Sequence, residues 1–238
     1  MYYEAAEKRL AVNKRGAIMK RNINPDEKKH ADRIRAVLKR AYPDACCRLN
    51  YGSALEILAA TILAAQCTDA RVNLVTPALF KQFKTAAAYA KSSQSKLEKM
   101  IKSCGFFRNK AKAIRRCCSA IVEEYGAIVP DTMEQLVALP GIGRKSANLI
   151  LSCAYDKPGI IVDTHVRRLS GRLGLSKQTN PDKIEMDLNN LVPKKERASF
   201  SFRLADHGRA VCGARKPKCD ECPLIKLCPS IFRGYPPK

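Results

Sequence analysis

The chain has 238 residues, 46% of them hydrophobic, enough for a sizeable core without disulfide or metal staples. Lysine and arginine number 44 against 22 aspartate and glutamate, and the formal charge of +22 is a statement about partners rather than fold. No apolar run approaches the ~20 residues of a membrane-spanning helix, so the expected polyanionic partner is nucleic acid and not a membrane.

Residues 1–22 are basic and carry no secretory core, which sets the expected location in the cytoplasm, on the nucleoid if the source is bacterial. They read as an N-terminal extension, or as sequence ahead of a start at Met19. Helical periodicity begins after them. "ADRIRAVLKRAY" puts Ile34, Val37, Leu38 and Tyr42 on one face, and "SALEILAATILAAQ" is apolar on most sides, a central buried helix. "SQSKLEKMIKSC" offers Ser95 and Glu98 as a capping box, and "NKAKAIRRCCSAIVEEYG" ends at Gly126, a C-terminal glycine. "PDTMEQLVALPG" starts from an Asp131 cap with Glu134 in the box position. "TNPDKIEMDLNNLVP" has Asn180 as cap and Pro181 at the first helical position, and "KKERASFSFRLADHGRAVC" is a further helix. No segment alternates with period two for long, so the fold class is all-α. The expected organisation is a six-helix domain over 46–156, with a second lobe from 23–45 plus 157–238.

Eleven cysteines are distributed unevenly. Seven, among them the adjacent pairs Cys46-Cys47 and Cys117-Cys118, read as small core residues of a reducing compartment. The other four, Cys212, Cys219, Cys222 and Cys228, are spaced C-x6-C-x2-C-x5-C. Four thiols that close together suggest a four-coordinate site, and spacing alone leaves zinc and an iron–sulfur cluster both open.

"LPGIGRKSANLIL" joins two helices through Pro140, Gly141, Ile142 and Gly143, a helix-hairpin-helix whose glycines let a phosphate approach the backbone. Such contacts position a duplex without reading its sequence. Arg144 and Lys145 follow at the helix start, where the dipole disfavours a cation, and a lysine biased toward its neutral amine suits Schiff-base chemistry. In "IIVDTHVRRLSGRLG", Asp163 precedes a helix containing Val166, Leu169 and Leu173. It reads as an N-cap, a role compatible with an ionised carboxylate that stabilises an oxocarbenium-like sugar. His165 is left without a role.

"LPGIGRKSAN", then "VDTHVRRL" with Asp163 eighteen residues beyond Lys145, then the four-cysteine loop together resemble endonuclease III of the helix-hairpin-helix superfamily, from about Asn24 to Cys228. The resemblance implies a two-lobed fold with DNA between the lobes, Lys145 as Schiff-base nucleophile, Asp163 as catalytic carboxylate and a [4Fe–4S] cluster on the four cysteines. It implies that Gln66, in "AAQCTDARVN", fills the gap left by a flipped base, and that Phe106, in "CGFFRNKAKAI", wedges into the opposite strand. Gly141, Ile142, Gly143 and Arg144 in the hairpin, and Arg215, Lys216 and Lys218 between the first two cluster cysteines, are the implied phosphate contacts. The implied function is a monomeric DNA glycosylase and AP lyase acting on duplexes with oxidised or ring-saturated pyrimidines or abasic sites. An adenine-specific mismatch glycosylase, which usually lacks the lysine, and a non-enzymatic DNA-binding module are the alternatives.

Overall fold

The computed structural model describes residues 23–231; the N-terminal extension expected over 1–22 lies outside them. All regular structure among the described residues is helical. Helix α1 is Pro25–Ala41, capped by the Asn24 side chain and started by proline, with acidic residues in its first turn and basic ones in its last, as the helix dipole favours.

Seven α-helices follow where six were expected over 46–156: α2 Ala54–Leu63, α3 Asp69–Gln82, α4 Ala86–Lys91, α5 Gln94–Ile101, α6 Phe107–Glu124, α7 Met133–Ala138 and α8 Arg144–Ala154. The additional one is α4, a six-residue helix capped by Thr85 that lies ahead of the stretch expected to be helical from Ser93 on. Ser93, not Ser95, caps α5. In the same way Thr132 rather than Asp131 caps α7, and Gln135 rather than Glu134 is its partner, the Thr132 hydroxyl accepting from the Gln135 amide at 3.3 Å. In both cases a hydroxyl one or two residues away supplies the cap that satisfies the orphan amides. The Gly126 expectation holds, with φ +58 after α6.

The chain continues with α9 Thr164–Arg172, α10 Pro181–Leu191 and α11 Arg197–Ala210. Asn180 and Pro181 start α10 as expected.

Buried side chains form two clusters. The first draws on α2 through α8, with Ile57 to Leu63 of α2 at its centre. The second joins Ala31, Ile34 and Leu38 of α1 to α9, α10 and α11, and includes Leu224 from the cysteine loop. At about 1.5–3 kcal/mol for each large apolar side chain fully buried, either cluster is sufficient to organise its helices. The site lies where the two meet.

Candidate active site and cysteine loop

A short extended segment brings the two clusters together. Ile160 and Val162 pack into the second cluster and the intervening Ile161 into the first. That alternation is the side-chain rule of an extended chain, and it is too short to register as a strand in the sequence. The Ile161 amide donates to the Ser201 hydroxyl of α11 at 3.0 Å. The segment ends on Asp163, which caps α9 as expected, its Oδ1 accepting from the Val166 amide at 2.7 Å.

Asp163 lines a cleft of about 380 Å³, together with Gln66 from the loop after α2 and Lys145 from the first turn of α8. Three residues singled out from separate stretches thus share one cavity. Its walls come from elements of both lobes: Leu49 and Leu149 belong to the first cluster, and α11, whose Phe200 and Leu204 lie in the second, contributes Ser201, Ala205 and Arg209. Gln66 is exposed and held at φ +52, a left-handed conformation rare outside glycine.

Ion pairs cross this seam, and sequence reasoning found none of them. Glu185 of α10, its side chain 7% exposed, accepts from Arg144 Nη2 at 2.7 Å and Nε at 3.1 Å. Arg144, expected on a phosphate, is committed to a bidentate pair that ties the start of α8 to the second lobe. Asp69 of α3 pairs with Arg209 of α11 at 3.3 Å, and Arg48 donates to Asp206 at 2.7 Å. Asp69 is free for this because Thr68 caps α3. The only sequence signal for Glu185 was an acidic residue on a face that must be buried.

Ile142 of the hairpin also stands differently from its expectation. Ile142 is 5% exposed and its amide donates to the Leu139 carbonyl at 3.2 Å, so it anchors the hairpin in the first cluster instead of facing DNA. Of the glycines, Gly141 alone takes a left-handed φ, +86; Gly143 is the N-cap of α8 at φ −101 and faces open space. Gly141 and Gly143 are both exposed.

Phe106 stands 64% exposed at φ +46, directly after Gly105 and at the start of α6. A large aromatic ring held outward in a strained backbone is uneconomical unless something covers it.

His165 sits in the first turn of α9, its Nδ1 3.2 Å from Arg168 Nη2. Burial lowers the His165 pKa, with Asp163 opposing and Arg168 and Arg209 adding to the shift. Gly208 of α11 is why α9 and α11 approach so closely: a Cβ there would meet His165 Nδ1 at 2.9 Å and Arg168 Nη2 at 3.0 Å.

Cys212, Cys219, Cys222 and Cys228 line a common apolar cavity with Leu169 and Leu173 of α9. Arg172, at the end of α9, donates to Cys212 Sγ at 3.2 Å and to the Gly213 and Ala214 carbonyls at 2.7 and 2.8 Å. His207 Nε2 is 3.5 Å from Cys222 Sγ, and the Tyr42 hydroxyl lies 2.9 Å from its Nδ1. Burial lowers the His207 pKa to about 4, so it is neutral near pH 7. Burial, then neighbouring thiols, raises Cys219. Burial also raises Cys222, against a backbone hydrogen bond at Leu224. Among the described residues no three such ligand side chains are gathered to hold one metal ion. Arg215, Lys216 and Lys218 are all exposed between the first two cysteines. Of the seven remaining cysteines, Cys104, Cys117 and Cys118 are core residues as expected, whereas Cys46 is exposed and Cys47, Cys67 and Cys153 are half-buried.

A family profile for HhH-GPD superfamily base excision DNA repair proteins matches residues 59–194. Endonuclease III of Synechocystis sp. is 52% identical over 205 residues, covering 86% of this chain and 94% of its own. The chain belongs to the endonuclease III family. Endonuclease III of Bacillus subtilis is 43% identical over 188 residues, 79% of this chain and 86% of its own. Among solved structures, a non-covalent endonuclease III–DNA complex superposes with a TM-score of 0.83 at 38% identity, covering 87% of this chain and 97% of that one. A trapped covalent endonuclease III–DNA intermediate gives the same score and identity, covering 87% and 98%. The all-helical fold is therefore that of the family, and among the described residues no helix is long and apolar enough to cross a membrane.

Proposed function

We propose that Lys145 and Asp163 carry out base excision and strand cleavage on duplex DNA containing oxidised or ring-saturated pyrimidines. As a member of the endonuclease III family the chain is a DNA glycosylase with AP lyase activity. The observation that carries the residue assignment is the shared cleft: Gln66, Lys145 and Asp163 line one cavity at the seam of two cores. The Lys145 amine attacks C1′ of the sugar, and the base departs with the glycosidic electron pair. The Asp163 carboxylate, fixed by its amide cap, stabilises positive charge on the sugar and takes a proton from the attacking amine. The C1′–O4′ bond then breaks as the nitrogen lone pair forms the C=N bond, O4′ takes the proton that Asp163 holds, and the resulting Schiff base acidifies the 2′ hydrogen. Its loss expels the 3′ phosphate and cuts the strand on the 3′ side. Gln66 occupies the gap in the stack, and Phe106 replaces part of the lost stacking from the other side.

The four loop cysteines fit a [4Fe–4S] cluster. Their thiols surround one cavity rather than gathering at a point, which suits a polynuclear occupant better than a zinc ion. Arg172 and His207 lie within reach of two of the sulfurs, the kind of outer contact that steadies thiolate ligands. When bound, the cluster supplies a rigid cross-link that holds the basic stretch 215–218 toward phosphates. The protein works as a monomer in the compartment of its DNA, and its lobes divide near residues 45 and 157 as the two buried clusters suggest.

The test is borohydride trapping on a thymine-glycol duplex. Wild-type protein is expected to form a covalent adduct, and Lys145→Gln to form none while retaining lesion binding. Trapping of the variant at the wild-type rate would assign the nucleophile to another amine.

A further inference from the structure

Arg48, in the loop between α1 and α2, lines the same cleft as Lys145 and Asp163, and the reaction leaves it without a task. It is held at both ends. Its carbonyl accepts from the Asn73 side-chain amide at 2.7 Å, and the Asn50 amide donates to Asn73 Oδ1 at 2.9 Å, so α3 grips the backbone on either side of buried Leu49. At the other end Nε and Nη2 both donate to Oδ1 of Asp206 on α11, at 3.0 and 2.7 Å. Nη1 has no partner among the described residues, and the side chain is 51% exposed. Arg209, the other arginine of the cleft wall, has both terminal nitrogens engaged: Nη1 donates to Asp206 at 3.1 Å and Nη2 to Asp69 at 3.3 Å. Two carboxylates thus face two guanidiniums, and the group has no net charge with which to draw a phosphate. What it offers is one directed N–H donor, and arginine cannot accept.

We propose that Arg48 reads the C4 substituent of the extruded base, so that the protein favours 4-oxo over 4-amino pyrimidine lesions. A pyrimidine joined to its sugar through N1 keeps O2 beside the carbon that Lys145 attacks and turns C4 to the far edge of the ring. In lesions derived from thymine or uracil, C4 carries a carbonyl oxygen, an acceptor; in those derived from cytosine it carries an amino group, a donor. Nη1 donates to the oxygen. Against the amino group two donors face each other, and Nη1 gives up water without gaining a partner. A site built to satisfy a polar group rejects the analogue that leaves its own group unpaired. The Asn73 grip and the Asp206 pair fix the guanidinium before the base arrives, so little rotamer freedom is lost on contact. Half-exposure keeps the discrimination near the lower end for a hydrogen bond from a charged donor, about tenfold. Arg48 sets specificity and takes part in no bond change.

The proposal rests on reading the cleft as the base-excision site. The test measures single-turnover excision by the full-length, cluster-loaded protein on duplexes carrying 5-hydroxyuracil or 5-hydroxycytosine, with cleavage at an abasic site, which has no base to read, as the reference. The two lesions differ only in the C4 substituent and the N3 proton that goes with it. Wild-type protein is expected to excise 5-hydroxyuracil about tenfold faster. Arg48→Gln, whose amide donates or accepts, should erase that preference, with 5-hydroxycytosine excision rising relative to abasic-site cleavage. Arg48→Lys, also a donor only, should keep its direction. Equal excision of the two lesions by wild type, or faster excision of 5-hydroxycytosine, would overturn the proposal without any variant. A preference that survives in Arg48→Gln would assign the reading to another residue. Arg48→Gln lowering all three activities by one factor would also overturn it: with a shallower salt dependence Arg48 is a phosphate contact, and without one it only ties the lobes. Wild-type cleavage of none of the three duplexes would instead overturn the base-excision reading, and the proposal with it.

Discussion

Gly143 occupies the one position in the hairpin where stability and binding make opposite demands. It caps α8 without a side chain, at φ −101, and a Cβ there meets nothing within 4 Å. Aspartate is a better N-cap than glycine by a few tenths of a kcal/mol, yet it would put a carboxylate where a phosphate is expected. Gly143→Asp should therefore unfold at a slightly higher denaturant concentration than wild type while binding damaged and undamaged duplexes more weakly. Loss of lesion binding with undamaged-duplex affinity intact would show that the hairpin reads the lesion. Gly141 behaves differently. Its φ of +86 lies in left-handed space, so Gly141→Ala should cost about 1–2 kcal/mol in the same denaturation experiment. The sequence marked both glycines alike; the difference between them is a backbone torsion, fixed by how Ile142 is buried.

At the scale of elements, α9 links the two candidate sites. Its first residue follows Asp163, and its last, Arg172, holds the Cys212 sulfur and two carbonyls of the cysteine loop. Between them Arg168 donates to the Gly208 and Cys212 carbonyls at 3.0 and 2.9 Å. Gly208 makes the packing of α9 on α11 close enough for this. Glycine inside a helix costs about 1 kcal/mol relative to alanine, so helix propensity alone favours Gly208→Ala. The Cβ would meet His165 Nδ1 at 2.9 Å and His165 Cβ at 3.0 Å, and one helix must move. The clash should win: Gly208→Ala is expected to lower thermal stability, and to lower kcat for incision because the first turn of α9 carries Asp163. A rise in Tm with unchanged kcat would mean that α11 gives way freely.

For the whole molecule, the question is what sets one lobe against the other. The two buried clusters meet along Ile160, Ile161 and Val162, and the ion pairs Arg144–Glu185, Asp69–Arg209 and Arg48–Asp206 cross between elements beside that segment. Exposed pairs of this kind contribute little. Glu185 is the exception, with a side chain 7% exposed and bidentate to Arg144, which immediately precedes Lys145. Removing its charge leaves the Arg144 guanidinium partly desolvated and short of its partner. Glu185→Gln should cost about 1–2 kcal/mol, less than a fully buried pair because Arg144 is partly exposed. It should also lower kcat for incision more than it changes KM. An unchanged melting curve and unchanged kinetics would show that the pair positions nothing.

The sequence by itself determined the helical class, the hairpin and the cysteine loop, and it marked Lys145 and Asp163 as the residues proposed to carry the chemistry. These are local statements: helical period, proline and glycine punctuation, and cysteine spacing are all written within a few residues of one another. Cap positions were the exception even locally, since Ser93 and Thr132 competed with Ser95 and Asp131 over one or two residues, and only the backbone path decides which hydroxyl meets the orphan amides. Tertiary structure decided everything that depends on separation in space. It brought Gln66, Lys145 and Asp163 to one cleft, turned Arg144 from a phosphate toward Glu185, and buried Ile142. Each of those partnerships joins residues far apart along the chain. Which charge meets which carboxylate is fixed by the packing of two cores against each other, and no single stretch of the sequence contains it.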